Sequence, residues 1–182
     1  MTLIELANKK LAIETIIAQL FIIWAILHLF FLRKKFVAVT DFFGKYGLLF
    51  AFLISLGAVA SSLFYSQIAG FEPCELCWFQ RIFMYPLLIL TALALIKKDR
   101  KIADYILPLA AIGGVISLYH NYIYYYNGGL NLSCQLGGMV ISCTKRYVFE
   151  FGYITIPMMA LTGFTLIIIF MVFSKLYDRA HQ

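Results

Sequence analysis

The sequence is short of charge: 13% of its 182 residues are Asp, Glu, Lys or Arg, and only nine are acidic. A soluble domain of this length needs a larger polar surface than that. The charges also cluster between long apolar runs instead of alternating with them. No internal repeat, no low-complexity tract and no room for a separate soluble domain interrupts the pattern. The net charge of +6 forms no basic stripe or groove, which excludes a phosphate-backbone binder, so no nucleic-acid partner is expected. Carboxylates are nearly missing from the apolar runs. Glu14 is the one acidic residue well inside a run, and no second charge pairs with it along an evident pathway, so solute transport has little footing. The runs also lack the alternation of barrel strands, which leaves helices as the way to satisfy the backbone in lipid.

What is present is apolar: 63% hydrophobic residues and a mean hydropathy of +0.87. Five segments reach the roughly 20 apolar residues that cross a bilayer. They run from about Leu11 to Leu32, Tyr46 to Ala69, Trp78 to Ile96, Asp104 to Tyr122 and Tyr153 to Phe173. The pattern predicts an all-α integral membrane bundle, with Asp104 as a candidate cap for the fourth span. Tyr124, Tyr125 and Tyr126 are expected just past that span's end, as an aromatic belt. Gly113 with Gly114, and Ser61 with Ser62, are small pairs that would let helices approach closely. Pro86, Pro108 and Pro157 fall within spans, where kinks are tolerated. The first segment, although it follows the pair Lys9 and Lys10, is too long for a signal core. It ends on Arg33-Lys34-Lys35 with no small-residue cleavage site, and so reads as a retained span.

Counting Lys and Arg in alternate loops orients the chain. Ten gather on one side, from Arg33, Lys34, Lys35 and Lys45 to Lys175 and Arg179, against five on the other. The positive-inside rule puts the larger set in the cytoplasm. The N-terminus, the short loop around Phe71 to Cys77 and the longer loop Ile123 to Gly152 then lie outside.

All four cysteines fall on that outer side, in a compartment that permits disulfides. Cys74-Glu75-Leu76-Cys77 is a C-x-x-C at the head of the third span. Cys134 and Cys143 enclose a short loop rich in Gly and polar residues. A helix start stabilises a thiolate through its unpaired N–H groups and its dipole, and the thiolate is the nucleophile of disulfide exchange. Arg81 lies one turn beyond Cys77 on the same face, where a charge beside lipid calls for a partner such as a thiolate, a lipid phosphate or a polar ligand. The competing readings of the cysteines are two static disulfides stapling the outer loops, or a structural zinc. The outer location and the eight residues inside the second pair disfavour zinc, and no metal is expected. Read singly, Arg81 could snorkel to the headgroups, His120 could be a satisfied interface residue and Trp78 an interface anchor.

The run Glu72-Pro73-Cys74-Glu75-Leu76-Cys77-Trp78-Phe79-Gln80-Arg81 resembles the signature of DsbB-type disulfide bond formation proteins, closest to the short Gram-positive branch often called BdbC. Leu118-Tyr119-His120 and Phe151-Gly152-Tyr153-Ile154-Thr155-Ile156-Pro157 agree with it, and the likeness runs from about Tyr46 to Lys175. Vitamin K epoxide reductase relatives share the chemistry but place the loop cysteines before the C-x-x-C.

The resemblance implies a four-helix redox domain, residues 46–182, in a bacterial plasma or inner membrane. Residues 1–45 would be an added N-terminal helix and linker, on which the family is silent. It implies an oxidoreductase that reoxidises a secreted or membrane-anchored thioredoxin-like partner and passes electrons to a membrane quinone, menaquinone or ubiquinone. By that resemblance Cys134 forms the mixed disulfide with the partner and Cys143 exchanges with Cys74. Cys77, as a thiolate, faces the quinone, Arg81 stabilises the developing charge, and His120 lies near the quinone pocket. The loop pair is closer together than in the Gram-negative proteins, which puts the large loop rearrangement of those proteins in doubt. The direction of electron flow is open at this level, since it depends on the potentials of partner and quinone.

Overall fold

A computed structural model describes residues 3–32, 37–126 and 147–181. Among them five helices are long and apolar enough to cross a membrane. They are α1 (Leu3–Leu27, continued by a π-helical turn His28–Leu32), α2 (Val37–Leu63, continued by a π turn Phe64–Ile68), α3 (Glu75–Lys97), α4 (Ala103–Tyr126, entered through a 3₁₀ turn Arg100–Ile102) and α5 (Ile156–Ala180). The described residues contain no strand, only an isolated bridge between Glu150 and Ile154. Large apolar side chains such as Phe30, Phe31, Ile96 and Val115 face outward, as they do when lipid is the solvent. The chain is an all-α integral membrane protein.

Each helix but the last outruns its predicted span at the start. Hydropathy falls at Lys9 and Lys10, at Asp41 and Lys45, and at Glu75, but none of these residues breaks a helix. α5 instead starts later than Tyr153. Phe151 and Gly152 both take positive φ, and a tight turn closed by Ile154 N–H donating to the Glu150 carbonyl precedes it. Thr155 then caps α5, its Oγ1 accepting from Met158 N–H at 3.2 Å. Pro157 therefore sits in the first turn, where its missing N–H costs nothing, and not inside a kinked span. Two further expectations are corrected. Asp104 does not cap α4: Asp99 caps the preceding 3₁₀ turn, while Asp104 pairs with Lys175 at 2.5 Å. Tyr124–Tyr126 form the last turn of α4, and Tyr124 is buried.

α5 is the hub. More than half of its most apolar stretch is buried, against 17–28% for the other four helices. It packs against α1, α2 and α4, while α3 closes the ring between α2 and α4. Association inside a bilayer relies on close packing, because lipid tails are as apolar as leucine. Small residues supply it. A Cβ on Gly113 would stand 2.3 Å from Phe164 Cε1, and one on Gly47 2.6 Å from the Phe170 carbonyl oxygen. Gly113 thus has the close-approach role expected of it, whereas Gly47 carries no comparable signal in the sequence.

At the end opposite the C-x-x-C, Arg100 ties three elements together. It donates to Asp178 at 2.5 Å, to the Gly44 and Lys45 carbonyls and to Ser174 Oγ, and its guanidinium lies 5.0 Å from the Tyr177 ring. α1 packs on the outside of the ring against α5, and four side-chain hydrogen bonds tie it and the turn that continues it to the rest of the bundle. Tyr65 donates to Asn8 Oδ1 at 3.0 Å, Gln19 bridges Thr162 and Tyr153, and His28 meets Thr40 at 3.1 Å.

Gly113→Ala should lower the unfolding temperature in detergent, with a cost of about 1–3 kcal/mol for overpacking against the buried Phe164 ring. Gly57→Ala, whose Cβ meets nothing within 4 Å, should be neutral or stabilising. Equal effects at the two sites would contradict the packing account.

Candidate active site

The C-x-x-C is positioned by the start of α3. Pro73 cannot extend a helix backward, and Cys74 takes an extended conformation at the N-cap, its carbonyl accepting from Trp78 N–H at 3.1 Å. Cys77 follows within the first turn, so both sulfurs sit where the helix end is most positive. The Cys74 thiol donates to Cys77 Sγ at 3.3 Å. Cys74 is buried, and Cys77 is partly exposed toward a cavity.

His120 reaches the pair from near the C-terminal end of α4. Its Nε2 lies 3.8 Å from Cys74 Sγ, and its Nδ1 lies 3.2 Å from Gln80 Nε2. With the Gln80 amide donating, Nδ1 is the acceptor and the ring proton sits on Nε2, aimed at sulfur. Such a proton stabilises a Cys74 thiolate. Both His120 and Gln80 are buried.

Arg81 does not snorkel outward. Its Nε donates to Ser62 Oγ at 2.8 Å and its Nη2 to the Ser62 carbonyl at 3.0 Å, while the guanidinium lies 5.1 Å from the Trp78 ring. The polar partner that sequence reasoning required is thus Ser62 on α2. Ser62, read as a small packing residue, holds the charge in place, and Trp78 shares that task instead of acting as an interface anchor alone.

These groups meet around one cavity of about 390 Å³, within the range of small-molecule sites. Cys74, Cys77, Gln80, Arg81 and His120 contribute polar lining, and Ile54, Ala58, Met84, Ala160 and Phe164 complete the wall with apolar side chains. The arrangement suits a flat, mostly apolar molecule bearing hydrogen-bond acceptors at its edge, set against a reactive sulfur. The two sulfurs and a His120 nitrogen also lie within 4.8 Å of one another, a Cys₂His donor set that could take a soft cation. Linear spacing does not reveal that set, because His120 comes from another helix.

Of the six residues expected at the site, four converge here: Cys74, Cys77, Arg81 and His120. Cys134 and Cys143 lie outside the described residues. Gln80 and Ser62 were missed. Gln80 had a signal, being an amide on an otherwise apolar stretch; Ser62 had none without the fold. Glu14 pairs with Lys10 one turn away on its own helix at 3.8 Å and also lines the cavity.

The family model of disulfide bond formation protein DsbB matches residues 45–174. The chain is 46% identical over 120 residues to the probable disulfide formation protein C 1 of Bacillus anthracis, covering 66% of this chain and 85% of the relative. It is 41% identical over 125 residues to the disulfide bond formation protein C of Bacillus subtilis strain 168, covering 69% and 89%. A probable disulfide formation protein of Chlamydia pneumoniae is 36% identical over 139 residues, covering 76% and 98%. No solved structure matches the chain significantly. The chain therefore belongs to the DsbB family of disulfide bond formation proteins, as a membrane oxidoreductase of the Gram-positive-like type.

Proposed function

We propose that this protein reoxidises a thioredoxin-like disulfide donor outside the cytoplasm and delivers the electrons to a membrane quinone through the α3 cysteine pair. The observation that carries the proposal is the single cavity lined both by the Cys74–Cys77 pair, Arg81 and His120 and by apolar side chains such as Ile54, Met84 and Phe164. A bound quinone supplies a two-electron, two-proton acceptor. Its flat, largely apolar head with edge carbonyls fits the mixed polar and apolar lining.

The chain's own residues then divide the work. Cys134 and Cys143 start as a disulfide. A partner thiolate attacks one of these sulfurs, and resolution of the mixed disulfide leaves the partner oxidised and the loop pair reduced. A loop thiolate, assigned to Cys143, attacks Cys74 of an α3 disulfide. The second loop thiol then closes the loop disulfide again, leaving Cys74 and Cys77 as the dithiol. The positive end of α3 and the His120 Nε2 proton favour thiolates there. Arg81, fixed by Ser62, holds positive charge beside the cavity where negative charge develops. Loss of two electrons and two protons from the pair re-forms the Cys74–Cys77 disulfide.

Charge counting supports an outward-facing site. Arg100, Lys101, Lys175 and Arg179 gather at the end of the bundle opposite the cysteines, the end assigned to the cytoplasm of a bacterial plasma membrane. We also propose the division into an N-terminal addition, residues 1–45, and a redox unit, 46–182. α2 itself runs unbroken from Val37 across that boundary.

The test is quinone reduction by purified protein supplied with a reduced thioredoxin-like oxidase. Turnover should be present in the wild type and abolished in folded Cys77→Ala and Cys134→Ala variants. Folded wild type without turnover on menaquinone or ubiquinone would sink the proposal. In the same assay Arg81→Gln should lower turnover by on the order of 100-fold, the usual loss for one fixed charge-stabilising donor. An unchanged rate would remove Arg81 from the mechanism.

A further inference from the structure

Beyond their separate parts in thiol exchange, Cys74, Cys77 and His120 bring three soft donor atoms together. Cys74 and Cys77 stand as a dithiol with their sulfurs 3.3 Å apart, and His120 Nε2 lies 3.8 Å from Cys74 Sγ. All three donor atoms fall within 4.8 Å of one another. A tetrahedral zinc ion, with its usual bond lengths, holds two sulfurs about 3.8 Å apart and a sulfur and a nitrogen about 3.6 Å apart. The Cys74–His120 separation is already close to that, and the sulfurs need to part by roughly half an ångström. Cys77 is the less buried of the pair and lines the cavity, so the adjustment falls on the sulfur with room to turn.

Gln80 supplies a second, independent feature. A cation on Nε2 requires the ring proton on Nδ1 and a group there to accept it. The buried Gln80 amide nitrogen lies 3.2 Å from Nδ1, and a half-turn of the same amide presents its carbonyl oxygen instead. Donating, Gln80 keeps the proton on Nε2, facing sulfur. Accepting, it turns the Nε2 lone pair toward the sulfurs. A hydrogen-bond acceptor behind the ring is the usual companion of a metal-binding histidine. Two thiolates and one imidazole also select thiophilic cations over hard ones such as magnesium or calcium. Cys77 and His120 both line the cavity, which leaves that side for a fourth ligand such as water.

We propose that the reduced Cys74–Cys77 pair and His120 form a redox-gated site for a thiophilic divalent cation of the zinc type, with Gln80 as the positioning residue behind the histidine. Binding forms two metal–sulfur bonds and one metal–nitrogen bond. The two thiol protons leave to solvent, the ring proton moves from Nε2 to Nδ1, and no electron is transferred. The Cys74–Cys77 disulfide has no thiolate to offer and does not bind. Because the cation binds the dithiol and not the disulfide, occupancy by linkage holds the pair reduced and blocks its reoxidation. The set differs from the four-cysteine zinc site that the spacing disfavours, since its third ligand comes from α4 and the loop pair takes no part. Binding does not depend on which acceptor the pair serves.

The test uses the full-length protein with Cys134→Ser and Cys143→Ser, in detergent and without oxygen, with Co²⁺ as the spectroscopic probe and Zn²⁺ as its competitor. Reduced protein should take one Co²⁺, giving sulfur-to-cobalt charge-transfer and tetrahedral d–d bands that one equivalent of Zn²⁺ removes. The same protein oxidised to the Cys74–Cys77 disulfide should show neither band, a control that needs no further substitution. Gln80→Leu should weaken Zn²⁺ binding by about 10–100-fold, the usual loss for an outer partner, and His120→Ala by at least as much. Gln80→Glu, which still accepts from Nδ1–H, should retain it. Zn²⁺-loaded protein treated briefly with diamide should keep both thiols, and lose them once a chelator is added. No bands in the reduced protein, equal bands in the oxidised protein, thiols lost to diamide equally with and without Zn²⁺, or unchanged affinity in folded His120→Ala would overturn the proposal. If His120→Ala does not fold, Gln80→Leu decides the part of the histidine, and unchanged affinity there overturns it. No arm involves a quinone, so the outcome is separate from that of the proposed function.

Discussion

The start of α3 is the constraint on which the rest of the structure depends. A sulfur that exchanges with protein thiols must lie near water, and one that meets a lipid-borne acceptor must lie beside hydrocarbon. On the proposed mechanism, placing Cys74 at the N-cap and Cys77 in the first turn meets both needs with one helix end. The same end supplies a positive potential that favours the thiolate form disulfide exchange requires. Pro73 fixes where the helix begins, and the tight turn at Glu150–Ile154 with the Thr155 cap fixes where α5 begins next to it.

Holding that end steady in lipid requires packing, since apolar contact alone gives helices no reason to prefer one another over lipid. The bundle answers differently at its two ends. Away from the cysteines, Arg100 gathers α2 and α5 through carbonyls, a carboxylate and a ring. Near the cysteines the helices are joined by side chains that line the cavity or bond to one that does: Arg81 to Ser62, Gln80 to His120, and Tyr65 to Asn8. Between the ends Gly113 and Gly47 bring α4 and α2 against α5. The residues that join the helices therefore line the cavity at one end and lie away from it at the other.

The number of helices, their approximate places and the position of the C-x-x-C at a helix start were legible in the sequence, because lipid demands long apolar runs and Pro73 marks where the third begins. Helix ends were not. Lys9, Asp41 and Lys45 lower hydropathy without lowering helicity, so α1 and α2 reach past the predicted spans. Asp104 looked like a cap because acidic residues favour helix starts, yet Lys175 on α5 claims it across the bundle. His120 and Arg81 stood out as polar residues in apolar surroundings, but their partners Gln80 and Ser62 depend on which helices adjoin. The wall that α1 gives the cavity was hidden for the same reason, since nothing in the spacing of Leu11, Glu14, Thr15 and Ala18 says which helix they meet.

The most direct measurement isolates the α3 pair. A Cys134→Ser, Cys143→Ser double variant, fully reduced and checked for folding, is mixed once with excess menaquinone analogue, and quinol and remaining thiols are counted. The account predicts one quinol per protein, with both remaining thiols lost as a Cys74–Cys77 disulfide. A folded variant that keeps both thiols and forms no quinol would show that electrons do not pass from the α3 pair to the membrane acceptor.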